Sequence, residues 1–145
     1  MQYFFNFLFF IIVLSACNSG KNFKNNKEHV KLGQNFAGMF YKQVSKSNYD
    51  SATVFFSSNV SKTDILALLK QNKELFGTLK EIKFINANSD ITETNHKLNG
   101  EMTLQFDAVY SRLSTIENIT ISVENDELKI EGYNYKVNMD KLNQH

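Results

Sequence analysis

The apolar positions of this chain change their spacing near Gly77. Before that glycine they recur every three or four residues, which is the period of a helix buried along one side. After it they alternate, which is the period of a half-buried strand. The sequence therefore predicts helices first and strands afterwards. This order is typical of an α+β domain, in which the helices pack on one face of an antiparallel sheet.

The first helix is predicted to begin near Gln34, where an apolar stripe with helical spacing starts. Its members are Phe36, Met39, Phe40 and Val44. A short second helix is predicted over residues 49–56, although residues 53–56 alone would also suit a strand. The first half of the domain should thus contain at least one amphipathic helix and one short element beside it.

The third helix has the clearest ends. Ser61 followed three residues later by Asp64 resembles a capping box, with Asp in place of the usual Glu. The apolar residues that follow form one stripe, and Gly77 stands where a left-handed residue commonly ends a helix. We therefore expect a helix between Ser61 and Gly77.

The clearest strand runs from Lys97 to Tyr110. One of its faces is apolar: Leu98, Met102, Leu104, Phe106, Ala108 and Tyr110. Further strands over about 79–87, 119–123 and 128–137 give about four strands in an antiparallel, curved sheet. Breaks in the alternation near Glu117-Asn118 and at Gly132 predict bulges. Polar residues alternate with the apolar ones, so the outer sheet face should be wet.

Residues 1–16 form an apolar leader. Its uninterrupted run over 7–14 is shorter than the roughly 20 residues of a membrane span, and it fits the apolar part of a secretory signal, although no Lys or Arg precedes it. The leader ends in Leu-Ser-Ala-Cys at 14–17, which resembles the lipobox of bacterial lipoproteins. The resemblance implies cleavage before Cys17 and a diacylglycerol on its sulfur. The alternative is an ordinary signal peptide with an incidental cysteine.

The remaining chain divides by composition. Residues 17–33 comprise the lipidated Cys17 and a polar, Lys- and Asn-rich stretch that predicts a flexible tether. The domain follows over 34–138, and residues 139–145 are expected to be a frayed tail. The lipobox implies a lipid-anchored protein on the exported side of a cell membrane. Asn18, in place of an Asp, favours the outer membrane facing the periplasm.

Three short segments and this layout resemble the small NTF2-like (cystatin-like) domains of bacterial lipoproteins. The segments are NYDSA at 48–52, FGTLKEI at 76–82 and KIEGY at 129–133. The resemblance implies a long first helix lying across a strongly curved sheet, with a cone-shaped cavity between them. No catalytic motif of that superfamily matches this chain residue by residue, so the resemblance extends to fold and architecture alone.

The charge balance and the motifs argue against several classes of function. The formal net charge is +1 and Arg112 is the only arginine, which argues against a nucleic-acid partner. His29, His96 and His145 share no metal-ligand spacing, and Cys17 is the only cysteine. The sequence therefore predicts no metal site, no cofactor and no nucleophilic triad.

Carboxylates give the candidate for catalysis. Glu101 and Asp107 share the polar face of the long strand, and Glu117 falls near a predicted bulge. An acid/base pair such as Glu101 or Asp107 with Tyr110 would serve a small cell-envelope enzyme. Strand alternation, however, points Glu101 and Asp107 at solvent. Catalytic residues are therefore not predicted.

Aromatic residues give the candidate for binding. Those expected along the helix–sheet interface are proposed to line a pocket: Phe40, Phe106, Tyr110 and Tyr133. Tyrosine hydroxyls at a rim would supply the few oriented polar groups that small-molecule pockets use. The sequence thus predicts a membrane-anchored, non-catalytic module that binds a small molecule or an envelope protein. The alternative is an enzyme with acid/base residues in an NTF2-like cavity.

Overall fold

The structure is a computed structural model that describes residues 20–139. Its elements follow in the order β1 (Lys21–Lys24), α1 (Lys27–Ser45), α2 (Tyr49–Thr53), α3 (Lys62–Phe76), β2 (Leu79–Thr94), β3 (Lys97–Tyr110), β4 (Ser114–Glu124) and β5 (Glu127–Val137). The predicted α+β class is confirmed. The leader, Cys17 and the tail from residue 140 onward lie outside the described residues, so the signal peptide, the lipidation and the frayed tail stay predictions.

The sheet is curved and antiparallel, with five strands in the order β1-β2-β3-β4-β5. The prediction of about four strands therefore missed one, and the missing strand is β1. Two tight hairpin turns join β2 to β3 and β4 to β5. Their central residues have positive φ, namely Asn95 (53°), His96 (60°), Asn125 (51°) and Asp126 (73°). Such pairs of left-handed residues match the right-handed twist of the strands that they connect.

The N-terminal part of the domain corrects the predicted tether over residues 17–33. Lys21–Lys24 pairs with β2, and α1 begins at Lys27 instead of Gln34. The Asn26 side chain accepts hydrogen bonds from the backbone N–H groups of Glu28 and His29, at 2.9 and 3.3 Å. Backbone pairing and a side-chain cap order this polar segment, in which Phe23 and Val30 are only partly buried, so the hydrophobic pattern gave little sign of it.

Helix α1 lies on the sheet with a narrower apolar side than predicted. Its buried residues are Gly33, Ala37, Phe40, Tyr41 and Val44. Met39, expected in the stripe, is 52 % exposed. The small residues bring the helix close to β3, since a Cβ on Gly33 would lie 2.2 Å from Sδ of Met102. The buried side of α1 thus combines small residues, which allow the close approach, with Phe40 and Tyr41.

Both predictions for residues 49–56 hold in part. Helix α2 occupies the first five residues, after which Phe56 forms a parallel bridge with Ile130 on β5. The backbone N–H of Ile130 donates to the carbonyl of Phe55 at 2.8 Å, and that of Ser57 donates to the carbonyl of Ile130 at 3.0 Å. The segment that follows α2 thus runs along the outer edge of β5.

The predicted ends of the third helix are confirmed. Oγ of Ser61 accepts from the backbone N–H of Asp64 at 3.3 Å, and α3 starts at Lys62, the residue after Ser61. Gly77 follows its last residue with φ 88°, and its N–H donates to the carbonyl of Lys73 at 3.0 Å. A Cβ at this glycine would lie 2.0 Å from Oγ of Ser111, so backbone conformation and space both favour glycine here.

One of the two predicted bulges exists. On β4 and β5, Thr120 pairs with Gly132 while Ile121 pairs with Ile130, which leaves Glu131 as the extra residue. The bulge predicted at Glu117-Asn118 is wrong. Both neighbouring strands pair with β4 in continuous register through that point. The alternation of β4 is therefore uninterrupted, with a charged residue in an inward position.

The two faces of the sheet differ as predicted. The inner face of β3 is buried at Met102, Leu104, Phe106, Ala108 and Tyr110. The outer face carries a row of side-chain amides across four strands: Asn86, Gln105, Asn118 and Asn134. They hydrogen-bond in sequence at 3.3, 3.0 and 3.0 Å. The amides pair with one another and face water, so the site described next lies on the other, helix-covered face.

Candidate functional site

A carboxylate lies at the centre of the helix–sheet interface. Glu117 is on β4, two positions from Thr115 and two from Ile119, and these three residues are fully buried. Strand alternation places all three on the inner face. Burying a carboxylate is costly unless it is hydrogen-bonded, so its partners determine whether this position is tolerated.

Four hydroxyl groups donate to this carboxylate. Oε1 of Glu117 accepts from Tyr110 at 2.7 Å and from Thr115 at 2.9 Å. Oε2 accepts from Tyr41 and Tyr133, each at 2.8 Å. An ionised carboxylate offers about four lone-pair positions, two on each oxygen, and these four donors fill them.

The donors come from every layer around the interface. Tyr41 is on α1, Tyr110 is the last residue of β3, and Tyr133 follows the bulge on β5. Other rings hold the phenols edge-on. Their centroid separations are 5.3 Å for Tyr41–Phe106, 5.6 Å for Tyr110–Phe76 and 5.9 Å for Tyr133–Phe40. Such edge-to-face packing fixes ring orientation and therefore the direction of each hydroxyl. We call Glu117 and its four donors the carboxylate cluster.

The cluster also holds its tyrosines in the protonated state. Burial is the largest cause that raises the pKa of Tyr41, Tyr110 and Tyr133, and the negative charge of Glu117 is the second. Both effects disfavour a phenolate next to a carboxylate. At neutral pH the three phenols are therefore donors, which is the state that the carboxylate needs.

This arrangement is suited to structure more than to catalysis. Among residues 20–139, no lysine or arginine forms an ion pair with Glu117. A general base needs a free lone pair within reach of a substrate proton. The lone pairs of Glu117 are occupied and the residue is fully buried. The cluster thus joins α1, β3, β4 and β5 through one fully satisfied polar centre.

The four predicted pocket residues come together in this interior. Tyr110 and Tyr133 donate to Glu117, Phe40 packs on Tyr133, and Phe106 packs on Tyr41. Phe40, Phe106 and Tyr110 are 0, 3 and 6 % exposed. The structure thus shows two of them within the carboxylate cluster and two packed against its tyrosines. Their contact with a ligand stays a prediction.

The acid/base pair considered from the sequence is not assembled. Glu101 is exposed, and Asp107 accepts from Nδ2 of Asn138 at 3.3 Å on the outer side of β3. Tyr110 faces inward. Because odd and even positions of a strand point to opposite faces, neither acid lies on the side of the sheet that Tyr110 faces.

Sequence reasoning missed the roles of Glu117 and Tyr41. A signal for Glu117 existed, because alternation traced backwards from Ile119 puts it on the inner face. The apolar Ile116 beside it led instead to the predicted bulge. Tyr41 gave a weaker signal, as the residue four positions after Ala37 on the buried side of α1.

An open pocket lies elsewhere, between the segment after α2 and the β4–β5 hairpin. Its volume is about 780 Å³. Its lining residues are Val54, Phe56, Ser57, Ser58, Asn59, Val60, Ser61, Lys62, Ser122, Glu124, Glu127, Lys129 and Glu131. Glu131, the bulge residue, accepts from Ser57 at 2.9 Å and from Ser122 at 3.2 Å. We call this the edge pocket. It combines hydroxyl groups with charges of both signs and few apolar side chains.

His29 and His96 are the described histidines, and His145 lies outside the described residues. Within the described part of the chain, no group of three or more His, Cys, Asp or Glu residues is placed to hold a metal ion. His29, predicted in the tether, lies on α1 with its ring edge-on to Phe23 at 5.2 Å. His96 lies in an exposed turn.

No protein-family model, curated protein or solved structure matches the chain. Among the helices of residues 20–139, none is long and apolar enough to cross a bilayer.

Proposed function

We propose that this chain is an exported, lipid-anchored lipoprotein whose NTF2-like domain is a non-catalytic binding module. The observation that carries the non-catalytic part is the saturation of Glu117. It is the fully buried carboxylate of the interior, and four hydroxyls occupy its acceptor positions. The interior therefore supports a rigid scaffold, and binding falls to the surface.

The NTF2-like assignment is supported by the arrangement of the long helix and the sheet. Helix α1 spans 19 residues and packs on β2 and β3 of a curved antiparallel sheet. In this chain the space between helix and sheet contains the carboxylate cluster. The predicted cone-shaped cavity is thus replaced, in our proposal, by a polar centre that braces the fold.

The edge pocket is the proposed ligand site. Hydroxyls and both signs of charge make up most of its wall, beside the apolar Val54 and Val60. A wall made mostly of hydroxyl, amide and charged side chains fits a small polar molecule or a polar segment of an envelope protein. The wall carries two lysines and three carboxylates, and Lys129 pairs with Glu127 at 3.2 Å, so charges of both signs are available to a polar ligand.

The lipid anchor is tested by intact-mass analysis of the membrane fraction. We expect the mature chain to begin at Cys17 and to carry the mass of a diacylglycerol. Globomycin should cause the uncleaved precursor to accumulate, and Cys17→Ser should release the protein into the soluble fraction. Recovery of soluble protein that retains residues 1–16 would refute the anchor.

Binding is tested by cross-linking and co-purification with the full-length protein in its native membrane. The variant Lys129→Glu reverses a charge on the edge pocket and should lose the captured ligand or partner. Lys136→Glu makes the same change on an exposed position of β5 that does not line the pocket. This control variant should still capture the ligand or partner. Equal capture by both variants would refute the edge pocket as the ligand site.

A further inference from the structure

We propose that the domain sits with one end of its sheet against the headgroup layer of the bilayer that holds Cys17. That end consists of the two hairpin turns, with residues 93–97 and 124–127, and we call it the turn rim. The inference rests on the proposed function, since it requires Cys17 to be acylated. It goes beyond the proposed function by assigning the orientation of the domain and the surface that faces lipid.

The chain between the anchor and the sheet is short. Cys17 precedes Lys21, the first residue of β1, by four positions. A chain spans at most about 3.3–3.6 Å per residue, so the two Cα atoms are within about 14 Å of each other. The long tether expected from composition does not exist, because residues 21–33 belong to β1, α1 and the link between them.

The direction of β1 aims this short link at the turn rim. Lys24 pairs with Asp90 and Lys21 pairs with Glu93, so the chain, followed back toward its N-terminus, runs toward the β2–β3 turn. Gly20 continues that path, since a Cβ placed on it would lie 2.6 Å from Oγ1 of Thr94. The link to Cys17 therefore leaves the domain at the rim.

The exit point is fixed to the sheet by more than strand pairing. The backbone N–H of Asn25 donates to the carbonyl of Ser89 at 2.9 Å, and the N–H of Ser89 donates to Oδ1 of Asn25 at 2.8 Å. These two bonds close β1 onto β2 just before α1 begins. Because β1 is held at both ends, it belongs to the sheet and does not lengthen the link to Cys17.

The second hairpin turn is tied to the first, which makes the rim one surface. Asp126 forms a 2.9 Å ion pair with Lys97 and accepts from the backbone N–H of Leu98 at 2.8 Å. Its own N–H donates to the carbonyl of Leu98 at 3.1 Å, and the N–H of Asn125 donates to Oδ1 of Asn99 at 3.0 Å. Both turns therefore lie at one level of the sheet.

Charge alone would not hold the rim to a membrane. Lys97 is paired with Asp126, and Glu93 lies near His96 at 3.6 Å. The rim carries four acidic residues, Glu93, Glu124, Asp126 and Glu127, against one lysine, so it is not attracted to anionic headgroups. The short covalent link thus determines the orientation, which should form on neutral lipid without anionic lipid.

The edge pocket lies next to this surface. Glu124 and Glu127, which flank the β4–β5 turn, belong both to the rim and to the pocket wall. The opposite end of the sheet, at residues 111–113, is about 40 Å away along β3, at roughly 3.3 Å per residue. A ligand of the edge pocket would therefore bind close to the bilayer surface.

Single-cysteine labelling tests the orientation in the full-length lipoprotein. Acylation consumes the one native thiol, so an introduced cysteine is the only site for a fluorophore. His96→Cys reports on the rim, where the side chain is 98 % exposed, and Lys46→Cys reports on the far end of α1. Both are reconstituted in phosphatidylcholine vesicles that contain a headgroup-nitroxide lipid. We expect severalfold stronger quenching at position 96 than at position 46.

Two outcomes would overturn the orientation, and they differ from failure of the anchor. Equal quenching at both positions in vesicle-bound protein refutes the orientation alone. Insertion of a flexible 16-residue Gly/Ser segment between Ser19 and Gly20 should reduce quenching at position 96 to the level at position 46. Unchanged quenching after that insertion refutes the short link as its cause. Protein that does not bind vesicles refutes both the anchor and this inference.

Discussion

The phenol of Tyr41 donates a 2.8 Å hydrogen bond to Glu117, a residue 76 positions further along the chain. This contact fixes α1 on the sheet at one rotation and one register, because hydrogen bonds are directional while apolar packing is not. It also makes the two residues dependent on each other. Without its donors the carboxylate could not remain buried, and without the carboxylate the phenols would lack an acceptor.

We therefore expect Tyr41→Phe to destabilise the domain by about 1–3 kcal/mol, the usual cost of leaving a buried polar group unsatisfied. Urea denaturation followed by circular dichroism measures this change. Tyr49→Phe is the matched control, since that hydroxyl reaches only Oγ of Ser47 at 3.4 Å in an exposed position. It should change the free energy of unfolding by less than about 0.5 kcal/mol. Similar values for both variants would contradict the role of the cluster.

Stability should fall at alkaline pH because of the same cluster. The pKa values of Tyr41, Tyr110 and Tyr133 are raised in the folded state, by burial first and by Glu117 second. Stabilisation is therefore complete below the unfolded tyrosine pKa of about 10 and is lost as pH rises toward the folded values. Each tyrosine contributes up to about 1.4 kcal/mol per pH unit in that range.

Tyrosinate absorbance near 295 nm tests this prediction independently of denaturation. In the folded protein these three phenols should not ionise until the protein unfolds, whereas exposed tyrosines titrate near pH 10. In Tyr41→Phe the free energy of unfolding should fall less steeply with pH, because one tyrosine fewer contributes to the slope. A single titration of all tyrosines near pH 10, with the fold intact, would contradict the cluster.

Local signals explain which elements could be predicted. The ends of α3 depend on Ser61 and Gly77, whose effects act within a few residues of themselves. The inner face of β3 follows from strict alternation up to Tyr110. The class of the fold and the wet outer face followed from these two patterns. Such signals are readable because they need no distant partner.

The features that could not be predicted from the sequence depend on residues that are far away along the chain. Glu117 is acceptable in the core only because hydroxyls from α1, β3 and β5 reach it, and a charged residue in an apolar pattern gives no sign of them. Strand β1 is similar, since its polar residues are held by backbone pairing with β2. Met39 was misplaced because the buried side of α1 includes Gly33, Ala37 and Tyr41, which an apolar stripe of large side chains does not reveal.

A substitution at Asn72 on α3 should stabilise the domain, in contrast to Tyr41→Phe. It is 2 % exposed, and neither side-chain atom of its amide has a hydrogen-bond partner within the described residues. An unsatisfied buried amide is unfavourable, and an apolar residue of similar size removes that cost. We expect Asn72→Leu to raise the free energy of unfolding by about 1 kcal/mol or more. A loss of stability on urea denaturation would show that the amide has a functional or structural partner.

Two glycines should respond in opposite directions to alanine. Gly100 on β3 has φ 143°, and a Cβ there would lie 2.2 Å from the backbone carbonyl oxygen of Asp90. Backbone cannot move aside as a flexible side chain can, so Gly100→Ala should cost about 1–3 kcal/mol.

Gly38 on α1 has no heavy atom within 4 Å of its Cβ position. Because alanine is the better helix former, Gly38→Ala should stabilise by about 0.5–1 kcal/mol. Thermal unfolding of the two variants against the parent protein measures both effects. Equal destabilisation by the two substitutions would contradict the packing of α1 and the pairing of β2 with β3 described above.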